Sequence, residues 1–225
     1  MIWVCDVGSN HNSSLDRALA LIDTAAEVGC SHVKFQLFNS EISKKPEEWL
    51  PVEWLPKLQG RAHENKLQFG CSPFYLKAVE ELEPFVDFYK LTSNYDMVKK
   101  LANKCLGTGK QLIFSFHADK IAPGYWHWQK AREDTKILVT VPNYPTAISD
   151  AHLEAITWGR FDGWSDHTRN PGVIYRVIHH YGAKVVEFHL DLHDGEGWEF
   201  KHGHCWLPSE IKEVIDNVRE GFAAD

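Results

Sequence analysis

Short apolar runs rich in β-branched and aromatic residues recur along this chain, separated by longer stretches whose apolar positions return at helical spacing. A strand alternates its faces and a helix repeats every 3.6 residues, so the pattern predicts strand and helix in alternation. The strand candidates are Ile2–Val7, His32–Leu37, Leu67–Cys71, Phe88–Leu91, Gln111–Phe116, Lys136–Val141, Phe161–Trp164 and Val185–Leu190. The clearest helix is Leu15–Val28, where Leu15, Ala18, Leu19, Ile22, Ala25 and Ala26 form an apolar face and Gly29 follows as a stop. Similar signals mark Lys77–Leu82, Met97–Leu106, Ala151–Trp158, Val173–Tyr181 and Pro208–Phe222. Three prolines and two tryptophans interrupt Lys44–Gln59, which reads as an active-site loop with a broken helix.

Strands alternating with helices imply a parallel sheet, because each parallel connection needs a crossover. Eight such units predict an α/β fold of the closed (β/α)₈ TIM-barrel type, and the 225 residues match one barrel domain spanning 1–225. An open doubly wound sheet is the alternative, but no Gly-x-Gly-x-x-Gly turn follows the first strand. The formal charge of −7, without a Lys/Arg block, argues against a nucleic-acid partner or a polybasic membrane surface, while leaving room for a local anion-binding patch. No apolar run approaches the roughly 20 residues of a membrane span, and the start lacks a basic signal-peptide region, so the expected compartment is the cytoplasm. The five cysteines contain no CxxC pair and indicate neither disulfides nor a zinc knuckle.

Candidate chemistry gathers at the strand ends, where a barrel places its active site. Ser165, Asp166 and His167 close the seventh strand, and Glu187 and His189 share one face of the eighth. Neutral imidazoles ligate zinc, iron and manganese, and two of them leave coordination positions open; a hydrogen-bonded or surface histidine is the competing reading. Asp6, Asn10, His11 and Asn12 follow the first strand, Lys34 and Gln36 lie on the second, and Ser72 ends the third. Lys90 and Ser93, then Ser115 and His117, then Tyr144 and Thr146 continue the ring. A solvated lysine or a simple capped turn explains any one of these, but not their appearance at nearly every strand end.

The segments Asp6-Val7-Gly8-Ser9-Asn10-His11, Val33-Lys34-Phe35-Gln36, Ser72-Pro73-Phe74, Tyr89-Lys90-Leu91-Thr92-Ser93, Tyr144-Pro145-Thr146, Ser165-Asp166-His167-Thr168 and Glu187-Phe188-His189 together resemble the sialic acid synthase (N-acetylneuraminate synthase-like) family. The resemblance covers most of the chain. It implies a metal-assisted, aldol-type condensation of phosphoenolpyruvate with a small sugar aldehyde. It implies that His167 and His189 hold a divalent metal, Mn²⁺ or Mg²⁺, and that Lys90, Ser93, Ser115 and Ser165 surround phosphoenolpyruvate. Lys34, Gln36 and Tyr144 then stand near the reacting groups or the sugar, and Asp6 and Glu187 are the candidates for proton handling.

The chain departs from the family pattern at Asp6, where the family commonly has Glu, and at Asn94-Tyr95, where it has Gly and an acid. Phe116-His117 replace a Thr-Gly, and Pro142 replaces a phosphate-binding Asn. The sequence reaches Asp225 just after the last barrel helix, so the expectation is a barrel domain without the family's C-terminal antifreeze-like domain. A homodimer or a separate capping partner is then the expected means of completing the sugar site. His202 matches the family's loop histidine and His204 is extra; a second metal site from His193, His202 and His204 competes with a solvated lid. The rival functions are a metal-dependent lyase or epimerase acting on another carbonyl compound, and a noncatalytic sugar-binding barrel.

Overall fold

The protein was described from a computed structural model, which covers residues 1–92, 95–117, 132–158 and 161–223. Its strands are β1 (Ile2–Asp6), β2 (His32–Leu37), β3 (Gln68–Pro73), β4 (Phe88–Leu91), β5 (Gln111–His117), β6 (Lys136–Thr140), β7 (Gly163–Asp166) and β8 (Val185–His189). All pair in parallel, each with its sequence neighbours, and β8 returns to β1 to close the barrel. The helices are α1 (Leu15–Glu27), α2 (Leu55–Glu64), α3 (Leu76–Leu82), α4 (Tyr95–Gly107), α5 (Pro171–His179) and α6 (Pro208–Ala223). The TIM-barrel expectation is therefore met.

Strand alternation builds the interior. The register pairs Val4 with His32, Gly70 with Phe88 and Gly163 with Val185. Val4, Phe88, Ile113, Leu138 and Val185 form a separate buried apolar cluster, the floor of the barrel. Gly70 makes room for it, since a Cβ there would lie 2.2 Å from the Phe88 ring. Two residues further along β1, β4, β5 and β8 stand Asp6, Lys90, Ser115 and Glu187, so a polar layer rests directly on the apolar one. The opposite strand faces pack against the helices in the main core, where Val33, Phe35, Phe69, Phe114, Val186 and Phe188 are fully buried.

Local chemistry sets the helix ends. Ser14 caps α1 by accepting from Arg17 N, and Asn170 caps α5 by accepting from Val173 N just before a proline. The region expected as a helix over Ala151–Trp158 is instead two 3₁₀ segments, Ile148–Asp150 and Leu153–Trp158. The interrupted 44–59 stretch resolves into 3₁₀ turns at Pro46–Glu48 and Val52–Trp54 that lead into α2.

Candidate active site at the carboxyl mouth of the barrel

The inward-facing residues that end the strands converge on a recess of about 210 Å³ lined by Asp6, Lys34, Lys90, Glu187, His167 and His189, among others. Lys34 Nζ lies 2.5 Å from Asp6 Oδ2 and 3.4 Å from Ser72 Oγ. Gln36 Nε2 donates to the same Asp6 oxygen at 3.1 Å, and the Gly8 N–H reaches its other oxygen at 2.9 Å. Lys90 Nζ donates to Ser115 Oγ at 2.7 Å and lies 3.2 Å from Glu187 Oε1, which also accepts from Ser165 Oγ at 2.8 Å. Glu187 Oε2 is buried without a hydrogen-bond partner. Both lysines are buried, 3% exposed, so their charges face the recess with little screening.

Burial alone would neutralise Glu187, yet Lys90 and Lys34 outweigh it and hold its pKa down to about 2. Burial lowers Lys90, whereas Lys34, despite burial, is raised by Asp6 and Glu187. The mouth is thus a set of interlocked ions, two of them cationic and accompanied by the hydroxyls of Ser72, Ser115 and Ser165. That combination suits a small multiply charged anion.

His167 and His189 face each other with ring centroids 5.4 Å apart. His167 Nδ1 lies 2.8 Å from the Val141 carbonyl; donation there puts the neutral ring's proton on Nδ1 and a lone pair on Nε2. Burial pushes its pKa down to about 3, which keeps it in the metal-ligating form. His189 Nε2 is 3.4 Å from Asp6 Oδ2, and its Nδ1 is 2.7 Å from Glu199 Oε2. Burial opposes charge on His189, but Asp6 and Glu199 prevail and raise its pKa. An imidazole oriented by a carbonyl and another oriented by a carboxylate match the donor set of a divalent metal site.

Tyr144 caps this pair from a half-exposed position, its ring centroid 4.3 Å from that of His167. It precedes a cis peptide bond to Pro145, and Thr146 N donates to the His167 carbonyl at 2.9 Å, which ties the β6 loop to β7. Asp166 does not join the ring. It points the other way and accepts from Trp164 Nε1 at 3.0 Å, Trp206 Nε1 at 3.2 Å and the Thr168 hydroxyl at 2.7 Å. Ser93 falls outside the described residues.

Glu199 is not singled out by the sequence pattern, and His204 enters there only as a candidate ligand beside His193 and His202. Glu199 and His204 both arrive on the loop after β8, which Asn10 and Asn12 clamp. Asn10 Oδ1 accepts from Glu199 N and Asn12 Oδ1 from Trp198 N, at 2.8 and 2.7 Å. Arg17 adds ion pairs of 2.7 Å to Asp191 and 2.6 Å to Asp194. The Asn-His-Asn turn is therefore more than a helix cap. A second recess of about 290 Å³ adjoins the first, sharing Gln36, Tyr144 and His189 with it and adding Glu48, Trp198 and His204. His193 and His202 are exposed, whereas His204 is buried; the His202 ring centroid lies 6.4 Å from that of His204, and His202 lines the same recess.

The NeuB family profile matches residues 41–225. The chain is 25% identical over 250 residues to the spore coat polysaccharide biosynthesis protein SpsE of Bacillus subtilis, covering 96% of this chain and 66% of that protein. It is 24% identical over 252 residues to the N,N'-diacetyllegionaminic acid synthase of Campylobacter jejuni, covering 96% of this chain and 75% of that one. Among solved structures, the N-acetylneuraminic acid synthetase of Leptospira borgpetersenii superimposes with a TM-score of 0.85 at 21% identity, over 97% of this chain and 82% of that one.

Proposed function

The chain belongs to the NeuB family, and from that premise we propose that it joins phosphoenolpyruvate to a sugar aldehyde, releasing phosphate and giving a nonulosonic-acid-like 2-keto acid. The observation that carries the reading is the pair of buried lysines beside two facing imidazoles. Lys34, Lys90, Ser115 and Ser165 bind the phosphate and carboxylate of phosphoenolpyruvate in the first recess. The adjoining recess takes the aldose, with Gln36 and Tyr144 at the junction of the two.

His167 and His189, each through Nε2, would hold the divalent metal, Mn²⁺ or Mg²⁺. Bound there, it supplies Lewis-acid polarisation of the aldehyde oxygen. In the balanced reaction the enol carbon bonds to the aldehyde carbon, water adds to the carbon that bears the phosphate, and the carbon–oxygen bond to phosphate breaks. Of the two protons of the water, one leaves with the phosphate and the other passes to the new hydroxyl. Asp6, 3.1 Å from Gln36 and 3.4 Å from His189, is the carboxylate placed to carry it. Glu187, held ionised by the lysines, keeps Lys90 and Ser165 aimed at the anion rather than passing protons.

The test incubates the purified chain with manganese, phosphoenolpyruvate and a panel of amino-sugar aldoses, measuring inorganic phosphate and the product mass. Phosphate released in step with a condensed product is the expected result. A metal-loaded protein that leaves phosphoenolpyruvate intact with every aldose would reject the reading.

A further inference from the structure

The imidazole of His189 has two sides, and the proposed function uses only one. We propose that the Nδ1 side is a second metal site, in which His189, Glu199, His204 and Cys205 hold one borderline-soft divalent cation of the zinc or cobalt(II) class. One donor atom from each of the four lies within 4.8 Å of the others. Glu199 Oε2 is 2.7 Å from His189 Nδ1 and 3.7 Å from His204 Nε2, which in turn is 3.8 Å from Cys205 Sγ. Zinc–nitrogen and zinc–sulfur bonds of about 2.0 and 2.3 Å in a tetrahedron separate the donors by roughly 3.3–3.6 Å. The separations of 3.7 and 3.8 Å need a contraction of a few tenths of an ångström, and the remaining pairs, all within 4.8 Å, need up to about 1.2–1.5 Å. The short one opens when an ion replaces the proton that His189 shares with Glu199.

A second observation points the same way. His204 is only 3% exposed, its Nδ1 has no hydrogen-bond partner, and its Nε2 has only the long approaches to Glu199 and Cys205. Coordination through Nε2 would replace those two long approaches with a bond, while Nδ1, on the other side of the ring, would keep the proton. The surroundings are also built to hold the donors. Asn10 Nδ2 reaches Cys205 Sγ at 3.4 Å, and the Ser9 N–H donates to Glu199 Oε1 at 2.8 Å. Gly8, at φ +53°, lets the carboxylate approach, since a Cβ there would lie 2.2 Å from Glu199 Oε2. Thiolate, imidazole and carboxylate together select zinc-like ions over magnesium.

This site does not rest on the condensation reading, but it bears on it. A neutral imidazole has one in-plane lone pair, so an ion on Nδ1 leaves the ring proton on Nε2. Occupation of the two sides of His189 is then exclusive, and a zinc-class ion here displaces the ion at the mouth.

Cobalt(II) alone is the probe, because a thiolate ligand gives it a near-ultraviolet charge-transfer absorption. One equivalent added to the folded chain should produce that band in the wild type and in His167→Ala. Cys205→Ser should abolish it, and His204→Gln should weaken cobalt binding at least tenfold, with circular dichroism showing each variant folded. No band in the wild type, or a band that survives Cys205→Ser or vanishes in His167→Ala, would overturn the proposal. Loss of manganese binding in His167→Ala with the cobalt band intact separates this site from the catalytic one. Manganese added to the wild type after its cobalt band has saturated should not bind; simultaneous binding of the two ions would refute the exclusive arrangement.

Discussion

The two ends of the barrel carry recesses of opposite character. At the amino ends of the strands lies a cavity of about 830 Å³ lined by Ile2, Trp3, Ile178, Val185 and Val218, with Lys136 and Asp162 at its edge. The carboxyl mouth is a quarter of that volume, about 210 Å³, yet it holds Asp6, Lys34, Lys90, Glu187, His167 and His189. Volume does not locate chemistry here. Lys136 and Asp162 are 28% and 26% exposed and 3.8 Å apart, a pair that water screens, whereas the mouth ions are desolvated and bound to one another. The carboxyl ends differ because the inward side chains there lie beyond the apolar floor and bond one another from strand to strand, Lys34 with Asp6 and Lys90 with Glu187.

The largest effect that sharpens this contrast belongs to Asp6. Asp6→Asn preserves shape but removes the proton carrier, and the chemical step should slow on the order of 10²–10⁴-fold with little change in substrate affinity. Single-turnover kinetics measures it, and an unaltered rate would take the role away from Asp6. Beneath the mouth, Phe88→Ala should cost about 3–5 kcal/mol of stability by emptying the floor next to Gly70, read from urea denaturation. A smaller loss would mean that the floor collapses to fill the space.

Acid should reveal a third difference. Burial lowers the pKa of His11 from the ordinary 6.5 to about 4. Between those values the unfolded chain binds the proton and the folded chain does not. Stability therefore falls as pH drops from 6.5 towards 4 and levels off below, by on the order of 3 kcal/mol for this residue. His11→Gln, compared with wild type by denaturation at pH 7 and pH 4.5, should reduce that dependence, leaving the shares of His32 and His167, whose pKa values burial also lowers. A slope unchanged in the variant would exclude His11 as a source. At the amino end, Lys136→Gln should change stability by no more than about 1 kcal/mol and leave turnover intact. A loss of activity there would undo the distinction between the two ends.

Most of the framework was legible before any coordinates. All eight predicted strands fall within two residues of the observed limits, because each is a largely buried run. Phe161–Trp164 needed moving forward to Gly163–Asp166: Asp162 is occupied before the strand begins, accepting from Ile137 N at 2.8 Å. Residues 151–158 carry apolar positions at helical spacing, but His152 at φ +45° breaks the segment, and a 3₁₀ turn begins only at Leu153. Asp166 looked like a member of the ring by adjacency to Ser165 and His167, but strand alternation sends it outward to the tryptophans.

What the sequence by itself determined was the order of strands and helices, and the placing of Lys34, Lys90, Glu187 and His189 on inward faces, since both follow from period and local spacing. Only the tertiary structure decided that Glu199, His204 and Cys205 would stand against His189. The Gly-flanked loop that carries Glu199 and His204 has no period to read. It is placed by Asn10 and Asn12, which bond Glu199 and Trp198 across 189 and 186 residues of chain. Contacts of that range exist only once β8 has closed against β1.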